Sequence, residues 1–159
     1  MKLRIVSVMA LWALASAASA QFSPGFNEEL AAEQRRQGAS ATTESVLKAL
    51  AERGSADAQT GLCSGYMTGR GFPQNDSLAF KWCEKAAHQE QPYGMYSLGV
   101  AYQFGRGTRS DIGQAMAAYI AASKLGLPEA AVQLGEIYRQ GQNCGFFYCW
   151  SANSASPEQ

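Results

Sequence analysis

The sequence has one histidine, His88, which excludes any catalytic or metal site that needs two. Its 13 basic and 13 acidic residues cancel, so it carries no electrostatic footprint for nucleic acid or an anionic membrane surface. No G-x-S-x-G, H-E-x-x-H or phosphate-loop pattern occurs, and nothing else announces a nucleophile beside a base. A C-x-x-C pair is missing as well, which argues against thiol–disulfide catalysis. Only one stretch, residues 5–15, is almost wholly apolar, and it is too short to span a membrane. What remains is 159 residues, 47% of them hydrophobic, enough to bury a core and to exclude wholesale disorder.

That apolar stretch follows Lys2 and Arg4 and precedes Ala18-Ser19-Ala20. Basic start, apolar middle and small-residue end are the three parts of a secretory signal peptide. Residues 1–20 are therefore expected to be removed, leaving Gln21 first. Because position 21 is not Cys, lipid anchoring is not indicated. The loss of two positive charges leaves the chain slightly acidic, periplasmic or secreted, and without membrane insertion. In such an oxidising compartment the four Cys become candidates for disulfides.

Behind the signal the chain repeats itself. Leu62, Leu98 and Leu134 are spaced by 36 residues, as are Tyr66, Tyr102 and Tyr138, and Gly69, Gly105 and Gly141. Ala79 and Ala115 keep the same step, as do Ala86 and Ala122. Leu98 and Tyr102 lie four apart on one helical face. Gly105-Arg106-Gly107 then breaks the helix, as Gly69-Arg70-Gly71 does one unit earlier. This recurrence makes the glycines turn chemistry rather than an anion cradle. Asp111 and Asn75 stand where they can cap a second helix, which runs over about 111–125 in the middle unit. Gly54 and Gly126 mark ends of second helices; Glu90 occupies that place between them, so Gln91-Pro92 is expected to end the helix there. The first helix of the last unit is expected over 128–140.

The pattern Ala-x-x-x-Leu-Gly-x-x-Tyr-x-x-Gly-x-Gly, then an acid, then Ala-x-x-x-Tyr, resembles Sel1-like repeats, relatives of tetratricopeptide repeats. The resemblance implies an all-α fold, a right-handed superhelical solenoid of antiparallel helix pairs that binds other proteins; it does not imply an enzyme, and with no catalytic motif in the sequence neither enzymatic activity nor a cofactor is expected. The expected organisation is a degenerate N-terminal repeat or cap over 21–54, repeats over 55–90 and 91–126, and a truncated repeat with a Cys-flanked aromatic C-terminal cap over 127–159. In the cap unit Phe26, Leu30, Val46 and Leu50 fall at the positions of Leu62, Tyr66, Trp82 and Ala86. Terminal repeats are commonly atypical.

Cys63 and Cys83 depart from the family pattern. They align with Gly99 and Tyr119 in the next unit, so one pair looks like a volume-conserving replacement of the other. Touching cysteines in an exported protein form a disulfide, leaving Cys144 and Cys149 to pair across a short aromatic turn. Zinc is disfavoured because structural sites space their ligands more closely. His88, near the end of a second helix, suits the negative end of the helix dipole.

In tetratricopeptide-like units first helices build the concave face. Alignment puts Tyr93, Tyr96, Val100, Gln103 and Phe104 there in the middle unit, Asp57, Thr60, Ser64, Met67 and Thr68 before it, and Glu129, Val132, Glu136, Arg139 and Gln140 after it. The aromatic centre with a polar rim has the anatomy of a protein interface. The expected partner-binding residues are Tyr93, Tyr96, Val100, Gln103, Phe104, Met67 and Arg139, although Tyr96 in particular can also serve packing between units. The function read from this is a monomeric envelope adaptor or regulator that captures a protein partner. The alternative is a periplasmic immunity protein against a secreted effector. Cysteine-rich relatives are linked to β-lactam binding or hydrolysis, but no serine or metal motif for that chemistry is present.

Overall fold

The computed structural model describes residues 22–38 and 41–143. Among the described residues there are seven helices and no strand: α1 (Phe26–Gln37), α2 (Thr43–Glu52), α3 (Ala56–Thr68), α4 (Asp76–His88), α5 (Pro92–Phe104), α6 (Ile112–Lys124) and α7 (Pro128–Asn143). Each helix packs on the next, and the first helices α3 and α5 also touch. The result is the all-α solenoid that the repeat foretold.

The repeated units owe their likeness to their ends. Helices α3, α4, α5 and α6 have 13 residues each. Asn75 accepts from the Leu78 N–H and Asp111 from the Gln114 N–H, both at 3.0 Å, so the same short side chain satisfies a free donor at the start of each second helix. Gly69 and Gly105 close the first helices at φ 72° and 68°, a left-handed conformation that costs other residues a Cβ clash. The chain then returns in the same way twice. The Asn75 N–H donates to the Tyr66 carbonyl and the Asp111 N–H to the Tyr102 carbonyl, each at 2.9 Å.

Two local features differ from the expectation. Helix α4 ends at His88, and Glu90 itself adopts φ 55°. It occupies the left-handed position that Gly54 and Gly126 occupy at φ 96° and 88°, so the turn is made before Gln91-Pro92, which instead starts α5. Helix α7 runs through Gly141 to Asn143 rather than stopping at Gln140. The turn needs two glycines. Gly71 and Gly107 supply the second, at φ 89° and 70°, and Asn143 stands at that place in the last unit.

The core forms two layers. Phe26, Val46, Leu50, Leu62, Tyr66 and Trp82 belong to one; Ala115, Tyr119, Ala122, Leu127 and Ala130 form the other. Val100 packs against both. Residues of α1 and α2 thus complete the first layer, with Phe26 and Val46 each only 2% exposed.

Within the first repeat the Cys63 and Cys83 sulfurs are bonded, their Cα atoms 5.0 Å apart, and tie α3 to α4. One repeat later, a Cβ added to Gly99 would sit 2.7 Å from a ring carbon of Tyr119. The two pairs are therefore alternative solutions to the same contact. Cys144 and Cys149 lie outside the described residues.

Candidate partner-binding surface

First helices carry the candidate surface, and their neighbours decide how much of it is open. On α5 the Pro92 ring begins the helix, and the Gln91 side chain accepts from the Tyr93 and Gly94 N–H groups at 2.8 and 3.2 Å. This fixes Tyr93 at the mouth of the helix. Tyr93 is half-buried, and burial, followed by the charge of Glu129 and a hydrogen bond to it, holds its phenol above the usual range. The ring of Tyr96 lies 5.6 Å, centroid to centroid, from that of Tyr119; its phenol too is raised, first by burial and then by Glu129. Gln103 accepts a 2.7 Å hydrogen bond from the Tyr119 hydroxyl. At the end of the helix Phe104 is 65% exposed.

The seven expected residues therefore separate into three groups. Phe104 and Arg139 are open to solvent, Arg139 bound to Glu136 at 2.6 Å. Tyr93, Tyr96, Val100 and Gln103 are half-buried, and the first three pack against the layer formed by α6 and α7. Tyr96 thus has the packing role that competes with binding. Met67 is 7% exposed and belongs to the first core layer, which removes it from the open surface. Helix α3 has repeat units on both sides, and of its concave positions Asp57, Thr60 and Met67 are buried, Ser64 is half-buried and Thr68 is exposed. The Met67 carbonyl in turn accepts from the Arg106 guanidinium at 3.1 Å, so a turn of the second repeat braces the helix of the first.

Sequence patterning missed a polar junction at the other end of the first helices. Asp57 accepts from the Ser23 N–H at 3.0 Å, from the Ser23 hydroxyl, and from the Gln91 amide at 3.1 Å. Beside it an open cleft of about 690 Å³ runs between the starts of α3, α5 and α7, with Asp57, Gln91, Tyr93, Leu125 and Glu129 among its walls. Ser23 precedes the first helix and is not one of the recurring residues, so no periodicity pointed to it. Nearby the Gln89 amide donates to the Gln59 side-chain carbonyl at 2.8 Å. Among the described residues no cluster of three His, Cys, Asp or Glu side chains could hold a metal ion, and no helix is long and apolar enough to cross a membrane.

The Sel1 repeat family model matches residues 56–90, 92–127 and 128–145, more than half of the chain. The chain belongs to the Sel1 repeat family. Two solved structures are similar. One is a protective antigen present in uropathogenic Escherichia coli strains, displaying an SLR fold, 27% identical with a TM-score of 0.58; the match covers 63% of this chain and 21% of that one. The other is a Sel1 repeat protein from Oxalobacter formigenes, 21% identical with a TM-score of 0.59, covering 85% of this chain and 47% of that one. The chain thus spans about a fifth and about half of these neighbours' lengths. A search of curated proteins finds none that matches. As a Sel1 repeat protein, this chain presents its chemistry as a sequence of helix edges and inter-helix turns.

Proposed function

We propose that this Sel1 repeat protein is an exported module that holds a protein partner in the cell envelope. The observation that carries the reading is the exposed ring of Phe104 at the end of α5. A large aromatic left in water at the edge of a packed helix pair is the kind of anchor on which protein interfaces concentrate their energy. The half-buried Tyr93, Tyr96 and Val100 beside it on the same helix offer apolar surface already held rigid by α6 and α7, so little side-chain entropy is lost on binding. Polar Glu129 and Arg139 supply the rim. The Cys63–Cys83 bond and the signal-like residues 1–20 support export into an oxidising compartment.

The test is capture from an envelope fraction with the wild-type chain and with Phe104→Ala. The proposal expects a defined partner that is lost with Phe104→Ala while helicity by circular dichroism stays the same. Equal recovery by both proteins would refute it. A partner encoded beside a secreted antibacterial effector, or the effector itself, would turn the adaptor reading into the immunity reading.

A further inference from the structure

The two edges of the stack use their charges differently. At one edge first helices start and second helices end. At the other, first helices turn into second helices through residues 69–75 and 105–111. The starting edge has exposed acids that bond to no neighbour: Glu28, Glu29, Glu52 and Glu90. At the turning edge the acids are engaged. Glu44 accepts from the Tyr66 hydroxyl at 2.5 Å, Asp76 from the Gln74 amide at 3.3 Å, and Asp111 from the Gln114 N–H at 3.0 Å.

Some arginines of the turning edge are engaged as well. Arg36 pairs with Glu33, Arg35 donates to the Ala31 carbonyl, and Arg106 donates to the Met67 carbonyl. Arg70 and Arg109 are left over. Both are exposed, and their guanidinium groups have no hydrogen bond or ion pair among the described residues. The turns that carry them lie against each other. A Cβ added to Gly107 would sit 2.1 Å from the carbonyl oxygen of Asp76, just past the first turn. Phe104, 65% exposed, immediately precedes the second turn. An open aromatic ring therefore shares this edge with two guanidinium groups that hold no acceptor.

We propose that the partner anchored by Phe104 presents an acidic segment, whose carboxylates pair with Arg70 and Arg109 while an apolar side chain packs on the Phe104 ring. The inference rests on the reading of Phe104 as an anchor and adds the chemistry of what is anchored. A guanidinium group is planar and weakly hydrated, and it takes a carboxylate through two parallel hydrogen bonds. An anionic membrane fits less well, because such surfaces recruit clusters of about four to eight basic residues.

The experiment selects peptides from a displayed random library on the wild-type chain and measures a labelled copy of the best one by fluorescence anisotropy. Enriched peptides should place Asp or Glu within a few residues of a large apolar side chain. Arg70→Glu combined with Arg109→Glu should weaken binding about ten-fold or more, because it turns two attractions into repulsions. Added salt should weaken wild-type binding as well. Lys48→Glu combined with Lys124→Glu makes the same change in net charge on other exposed faces and should leave binding nearly unchanged.

Phe104→Ala separates this inference from the reading beneath it. Peptides that need Phe104 but ignore Arg70 and Arg109 leave the anchor standing and overturn the acidic segment. Peptides that need the arginines but not Phe104 overturn the anchor, and with it the shared site. Enriched peptides without acids, equal losses in both charge variants, or no enrichment at all overturn the proposal too. So does binding to phosphatidylglycerol vesicles that the arginine variant abolishes, which would make anionic lipid the ligand.

Discussion

Gly99 and Tyr119 are matched as socket and ring: the absence of a side chain on α5 is what lets a fully buried tyrosine of α6 press against the helix and donate to Gln103 at 2.7 Å. One repeat earlier the same two places hold Cys63 and Cys83, joined through sulfur. Gly99→Ala is expected to cost about 1–3 kcal/mol by forcing the ring aside, seen as a lower urea midpoint. Gly99→Cys combined with Tyr119→Cys should instead copy the upstream pair. A thiol count on the denatured, unreduced double variant that shows two additional free thiols would contradict the equivalence of the two sites.

The disulfide itself closes a loop of 20 residues, which is worth about 3 kcal/mol on the loop-entropy account. Replacing both Cys63 and Cys83 by Ala should lower stability by about that amount and leave far-ultraviolet circular dichroism nearly unchanged. Urea titration of the double variant against wild type measures it, and coincident curves would contradict the prediction.

Glu90 is a stability reserve. It holds φ 55° where the neighbouring units use glycine. A left-handed conformation costs a side-chain-bearing residue about 1–2 kcal/mol, part of which is given back because glycine loses more entropy on folding. Glu90→Gly is expected to stabilise by about 0.5–1 kcal/mol, read as a raised melting temperature; a lower one would mean that the Glu90 side chain contributes more than its backbone costs.

Alkaline pH should loosen the first layer. The Tyr66 hydroxyl donates to Glu44 at 2.5 Å, and burial, then that carboxylate, push its pKa up to about 12. An unfolded tyrosine ionises near pH 10. Because the folded value is the higher one, the stabilisation is fully present below about pH 10 and is lost as pH rises toward 12. Tyr66→Phe should flatten part of that decline, with buried Tyr119, whose phenol is likewise raised by burial, carrying the rest. Urea midpoints at pH 9 and at pH 11 for both proteins check it.

The periodic parts of this fold were legible because each has a local cause. Gly69 and Gly105 need a left-handed backbone, Asn75 and Asp111 satisfy helix starts, and such demands recur wherever the unit recurs. The Cys63–Cys83 contact was legible through its aligned counterpart, Gly99 with Tyr119. Surface exposure was not, since it depends on position in the stack rather than on register. Met67, Gln103 and Arg139 occupy one register position, yet they are buried, half-buried and exposed in turn. The Asp57 junction escaped for a related reason. Its partners Ser23 and Gln91 come from the start of the degenerate first unit and from a helix start whose side chain differs from unit to unit, so the recurring residues did not point to them.

The sulfur bond between α3 and α4 also makes the stack mechanically uneven. Load or ligand that pulls the solenoid apart cannot separate that pair, so the opening must fall elsewhere. Among the described residues the other joints, on both sides of that pair, are held by side-chain packing and by hydrogen bonds such as that of Arg106 to the Met67 carbonyl. The cystine therefore acts as a fixed knot inside the stack, and any sliding or splaying of the helices is left to the joints on either side of it.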